Sequence, residues 1–159
     1  MGSSGRPAAP AMTPFHATDP YDWAGLLALI QRAFAGMEGR IKPPSSLDRL
    51  TADDLAASEV WVIGTPAQAC MVLTPKPGRL YLGKLAVEPG LQGQGYGRAL
   101  VRAAEQRALA LGLAVVELET RVELVENQAI FGKLGFLEVG RKAHPGFDRP
   151  TSITFAKSV

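Results

Sequence analysis

The stretch Gln92-Gly93-Gln94-Gly95-Tyr96-Gly97-Arg98 sets three alternate glycines between an apolar run, Leu80–Val87, and a long helical pattern. A loop in that position leaves unpaired N–H groups at the positive end of a helix, where a phosphate or diphosphate binds. Glycines let the backbone approach such an anion with no Cβ in the way. The plain alternative is a flexible turn. The dinucleotide pattern G-x-G-x-x-G fails here, because counting from Gly93 its last position is Arg98. Glu117, about twenty residues beyond Gly97, imitates the ribose-binding acid of that fold. The further strand-helix units that fold needs are missing, and no Gly-Lys-Ser/Thr of a Walker loop follows.

The other reactive side chains are few. Cys70 is the only cysteine, so an internal disulfide and a multi-Cys zinc site are excluded. It lies between Ala69 and Met71, in an apolar run that reads as a buried, inert thiol. His16 and His144 are the two histidines, too few for a protein-built metal site, and no metal is expected. His144 has an imidazole suited to proton transfer but stands in a Pro/Gly loop.

These residues need positioning elements. Thr13–Thr18 reads as a short first strand, and Asp19-Pro20 as a helix start with Trp23, Leu26, Leu27, Ile30 and Phe34 at helical spacing. Ser46 caps a second helical stretch, loosely Leu47–Ala57. Glu59–Ile63, Ala69–Thr74 and Leu80–Val87 are strand-like, and the short turns between them favour an antiparallel meander. Gly83 marks a bulge or a close packing contact in the third run. The glycine loop leads into a helix ending near Leu111-Gly112. Leu113–Leu118 then reads as a buried strand, and Glu126–Leu134 as a helix stopped by Gly135. Phe136–Ala143 and Ser152–Lys157 close the chain as strands. The order is β-α-α-β-β-β-α-β-α-β-β, an α/β chain of the α+β type.

The spacing Gln92-x-x-Gly95-x-Gly97 resembles the Q/R-x-x-G-x-G/A motif of the GCN5-related N-acetyltransferase (GNAT) superfamily. Leu85-Ala86-Val87-x-Pro89 before it is similar to the end of that family's fourth strand. Asn127 with Phe131-Gly132-Lys133-Leu134-Gly135-Phe136 is similar to its closing segment. The resemblance implies the GNAT fold, a mixed, mostly antiparallel sheet of about seven strands with about four helices. It also implies acetyl-CoA as co-substrate. Its diphosphate would rest on Gln92, Gly93, Gln94, Gly95, Tyr96 and Gly97, with Arg98 adding a contact. The pantetheine arm would run between splayed fourth and fifth strands against Leu85, Ala86 and Val87. Asn127 stands where a side chain touches that arm, although helix capping would also explain it. A main-chain N–H near Leu85 would hold the oxyanion.

Many members carry a tyrosine that protonates the departing thiolate; here that position is Phe131. A thiol of pKa about 8.5 leaves without much help, but an amine of pKa about 10.4 needs a base. The family's fourth-strand glutamate position holds Tyr81, a base or a pocket-wall aromatic. Glu119, at the end of the fifth strand, is the preferred base. It shares a face with Glu117 by alternation.

Of 159 residues, 47% are hydrophobic and 20% charged, the balance of a globular chain with one core. A formal charge of +2 and the absence of any basic block argue against nucleic-acid or membrane partners. Residues 1–11 read as a disordered tail or cloning remnant with Met12 a candidate start, and 12–159 as one domain expected in the cytoplasm. The expected reaction is acetyl transfer to a primary amine of a small molecule or peptide. A catalytically impaired acyl-CoA-binding regulatory module is the alternative, because of Phe131. A homodimer is left open.

Overall fold

The structure, a computed structural model, describes residues 12–159; the expected tail lies outside the described residues. The elements follow the expected order. They are β1 (Phe15–Ala17), α1 (Trp23–Phe34), α2 (Ala52–Ala56), β2 (Glu59–Ile63), β3 (Ala69–Lys76), β4 (Arg79–Val87), α3 (Tyr96–Ala110), β5 (Val115–Arg121), α4 (Val125–Lys133), β6 (Leu137–Lys142) and β7 (Ser152–Ser158). The strands form one seven-stranded sheet in the order β1-β2-β3-β4-β5-β7-β6. Only the β4–β5 pair is parallel; β1 to β4 run as an antiparallel meander, and β5, β7 and β6 pair antiparallel.

Side chains alternate across a strand, so this sheet has two buried faces. Val60, Val62 and Cys70 turn to one side, where Leu26, Leu29 and Ile30 of α1 and Leu55 of α2 cover them. Ile63, Met71, Leu80 and Val116 turn to the other and meet Leu100, Ala104 and Ala108 of α3. Each Leu- or Ile-sized side chain removed from water in this way contributes about 1.5–3 kcal/mol. Helices on both faces hold the central strands in place.

Three local readings change. Helix α1 begins later than Asp19-Pro20: Asp22 is its cap and accepts the Gly25 N–H at 3.0 Å, while Asp19 accepts the Trp23 indole N–H at 2.6 Å. The stretch after Ser46 splits into a short 3₁₀ turn, Leu47–Arg49, and α2. Thr51 and Asp54 form a capping box there, which defines the start better than Ser46 could. Strand β5 runs on to Arg121, with Val116, Leu118 and Thr120 buried and Glu117, Glu119 and Arg121 on the half-buried face. Glu119 therefore lies within the strand, not at its end.

No helix among the described residues is long and apolar enough to cross a membrane.

Candidate active site

Strands β4 and β5 pair at two positions only, Leu80 with Val116 and Tyr81 with Glu117. Past that point they part. From Leu82 to Val87, one edge of β4 is free of β5, and a cleft of about 720 Å³ opens beside it. The far wall is Glu119, Thr120 and Arg121 of β5 with Asn127 and Phe131 of α4. The segment between α1 and α2 borders the cleft with Phe34, Met37, Arg40 and Leu47.

Strand β4 carries a bulge at this edge. Its register against β3 steps from Cys70 opposite Ala86 to Val72 opposite Gly83, and Lys84 takes a left-handed φ of 49°. The bulge thus sits at Lys84 and Leu85, beyond the expected Gly83. The role of Gly83 is spatial: a Cβ there would stand 3.3 Å from the Tyr81 ring. Lys84, Leu85, Ala86 and Val87 all line the cleft. A strand edge freed in this way can accept an extended ligand as an additional strand.

The glycine loop enters at the top. Gly95 caps α3 with φ 97°, and Gly93 also has a positive φ of 79°, values that favour glycine. The first N–H of the helix to find a carbonyl belongs to Ala99, 3.0 Å from the Gly95 oxygen. The N–H groups of the turn before it are left for an external acceptor. A Cβ built on Gly93, Gly95 or Gly97 meets nothing within 4 Å, so the space above the loop is open. Gln92, Gly93 and Gly97 line the cleft, while Gln94, Gly95 and Arg98 lie outside its lining. The contact expected of Tyr96 is a main-chain one, and its side chain turns elsewhere. Its side chain is 7% exposed, packs in the α3 core, and its hydroxyl reaches Gln68 Oε1 at 3.3 Å. Only its main chain belongs to the loop.

Asn127 does not cap α4, whose cap residue is Leu124. Its amide instead donates to Thr120 Oγ1 at 3.5 Å, across the cleft floor between α4 and β5. Phe131 packs edge-on against Phe136 and Phe155, at 6.2 and 6.0 Å between ring centroids. It lines the cleft with no hydroxyl to offer.

The two same-face carboxylates part company. Glu117 sits beside the closed end, paired with Arg79 at 3.1 Å; Glu119 lines the cleft, paired with Lys142 at 2.8 Å. Tyr81 also lines the cleft. Burial, followed by the charges of Glu119 and Glu117, pushes its phenol up to about 12. A tyrosine so perturbed stays protonated and donates, the reverse of a base. Cys70 is buried away from the cleft, and burial raises its thiol to about 12, in keeping with an inert role.

Three cleft residues carry more than sequence reasoning gave them. Arg121 donates to the carbonyls of Pro43 and Pro44 at 2.5 and 3.4 Å, tying β5 to the segment between α1 and α2. Arg40 in that segment reaches back to α4, bonding the Glu126 carboxylate and the Glu123 carbonyl. The step of two from Glu119 to Arg121 was the available signal for the first; nothing local pointed to the second. The third is His144, which shares the cleft with Glu119, Arg121 and Ser152. Burial first, then Arg121 and Lys142, lower its imidazole below the ordinary value, against a smaller opposing pull from Glu119.

No curated protein matches the chain in sequence. Solved structures do match in fold. The ribosomal-protein-S18-alanine N-acetyltransferase of Escherichia coli superimposes with a TM-score of 0.67 at 22% identity, covering 92% of this chain and 94% of that one. An acetyltransferase of the GNAT family from Staphylococcus aureus gives 0.72 at 15% identity, over 92% and 98% of the two chains. The IAA acetyltransferase of Bacillus cereus gives 0.65 at 20% identity, over 92% and 99%. The family model described as "Acetyltransferase (GNAT) family" matches residues 26–136, a span from α1 through the glycine loop to the end of α4. The chain therefore belongs to the GNAT acetyltransferase family.

Proposed function

We propose that the protein moves an acetyl group from acetyl-CoA to a primary amine of a small molecule or peptide, by direct attack within a ternary complex. The observation that carries this reading is the parting of β4 from β5 beside the open glycine mouth of α3. One end of the cleft suits a diphosphate and the other a thioester.

In this reading the main chain of Gln92 to Gly97 holds the diphosphate, with Arg98 at the rim. The pantetheine arm lies along the free edge of β4 at Leu85, Ala86 and Val87, and Asn127 faces it from α4. The bulge turns a main-chain N–H near Leu85 toward the thioester, where it would stabilise the oxyanion. Glu119 draws in the acceptor's ammonium, and Tyr81 donates a hydrogen bond beside it. The thiolate, with a pKa of about 8.5, departs without a dedicated acid, which makes Phe131 tolerable.

Phe131 also favours a second reading, an acyl-CoA-binding module without turnover. Calorimetry with acetyl-CoA, and with NADH as the control, tests the cleft assignment; NADH binding without CoA binding would overturn it. A thiol-release assay across small-molecule and peptide amines separates enzyme from module.

A further inference from the structure

Acetyl transfer requires the acceptor nitrogen to lose a proton, and the cleft lining offers Glu119, Glu126 and His144 to take it, the Glu126 carboxyl being held down at about 2 by Arg40. Glu119 is held by Lys142. Its carboxylate is thus already engaged by a cation. The imidazole is the side chain whose proton affinity matches neutral pH.

One contact, to Thr151, holds the His144 ring, and two more hold the Thr151 hydroxyl that makes it. The Thr151 hydroxyl accepts the His144 main-chain N–H at 2.9 Å, contacts His144 Nδ1, and lies 3.4 Å from the Lys142 carbonyl. A hydroxyl has one proton. That proton can go to Lys142, which makes Nδ1 the donor and leaves the lone pair on Nε2, or to Nδ1, which leaves the N–H on Nε2. Thr151 is 2% exposed, so the Nδ1 contact is made to a buried hydroxyl. His144 lines the cleft, and so does Ser152, whose buried hydroxyl has no partner among the described residues. A buried hydroxyl left unpaired calls for a water or a ligand group.

We propose that Nε2 of His144 takes the proton shed by the acceptor amine, with Thr151 holding the ring for that task. The proposal rests on the acetyl-transfer reading above. The amine lone pair forms the C–N bond at the thioester carbonyl carbon, and the C–S bond breaks with its electron pair leaving on sulfur. The acceptor enters as an ammonium: Nε2 takes its first proton, which frees the lone pair, and passes it to solvent, and the proton left on nitrogen after the C–N bond forms reaches the thiolate through water. The charged groups facing the ring are Arg121 and Glu119 on β5 and Lys142 at the end of β6. Burial first, then the two cations against the smaller pull of Glu119, lower the imidazole below its ordinary value.

Two measurements decide it. With only two histidines in the chain, nitrogen-15 histidine NMR of the wild type, assigned by His144→Gln, reads the tautomer directly. The expected result is a neutral Nδ1–H ring titrating below the ordinary imidazole; an Nε2–H ring would overturn the proposal. Kinetics on an amine selected by the thiol-release panel give the second. His144→Gln should lower kcat about 10²-fold and remove the rising limb of its pH profile, with acetyl-CoA affinity unchanged. Glu119→Gln should act mainly on the acceptor KM. Acetylation that keeps kcat within about twofold and retains its limb in His144→Gln sinks this proposal alone. A wild-type protein that binds no acetyl-CoA sinks the transfer reading, and this proposal with it.

Discussion

Tyr81 and Glu117 form the last rung between β4 and β5. Everything beyond that rung is cleft, and everything before it is ordinary sheet. The phenol beside it is raised first by burial, and Glu119 and then Glu117 on the same face add to the cost of a tyrosinate.

Gly97 lies in the first turn of α3, with no neighbour within 4 Å of a built Cβ and no positive φ. Gly97→Ala should therefore leave the fold intact, or stabilise it by up to about 1 kcal/mol through helix propensity. The motif admits alanine at this position, so a methyl leaves room for a diphosphate, whereas the longer side chain of Gly97→Leu would fill that space. Acetyl-CoA affinity should hold in Gly97→Ala and fall about tenfold or more, about 1.4 kcal/mol, in Gly97→Leu. Thermal melts and calorimetry on the two variants check both halves.

Tyr81→Phe removes a donor and no base. Turnover should fall while the shape of the pH profile below about pH 10 stays as in the wild type, because the phenol does not ionise there. A limb lost with the hydroxyl would show that Tyr81 does titrate in the working range. The measurement is kcat/KM against pH for both proteins.

Arg121→Ala releases the Pro43 and Pro44 carbonyls from β5. Losing hydrogen bonds made by a charged group should cost about 1–2 kcal/mol of stability. The segment bordering the acceptor side then loses its anchor. The acceptor KM should rise several-fold with acetyl-CoA affinity unchanged, read by steady-state kinetics alongside calorimetry.

The Arg40–Glu126 pair sets an acid window. Hydrogen bonding to Arg40, with a main-chain contribution, holds the Glu126 carboxyl down at about 2 against an ordinary value of 4.5. A depressed carboxyl stabilises the fold above its unfolded value and loses that contribution as pH falls toward 2. Wild type should melt above Glu126→Gln at neutral pH by a small margin, since the pair is exposed. The margin should close between about pH 4.5 and about pH 2. Paired melts across that range test the sign.

Periodicity and turn residues were enough to place the sheet, the helices and the glycine mouth, because each is written in a short window. Gly93 and Gly95 announce left-handed turns, and the Leu100–Ala104–Ala108 face announces α3. What escaped was contact between distant windows. The inward turn of Tyr96 depends on Gln68, 28 residues away, and the hold of Arg121 on Pro43 spans 78. His144 could be read from its loop as a base, a substrate ligand or an ordinary loop residue, and only the structure brings Thr151 and β5 alongside it. The bulge was misplaced by one residue for a related reason: only the register against β3 reveals that Lys84, not Gly83, bears the left-handed turn.

A sheet interrupted in its middle has a raw margin where other sheets have a seam. From Leu82 to Val87 the chain keeps hydrogen-bonding groups that β5 does not meet, and such margins invite other strands. Whatever molecule lies there in the folded protein also shields it. Occupancy at a hundred times the dissociation constant adds about 2.7 kcal/mol to the folded state. The cellular supply of that occupant would then set how long the protein survives as well as how fast it works.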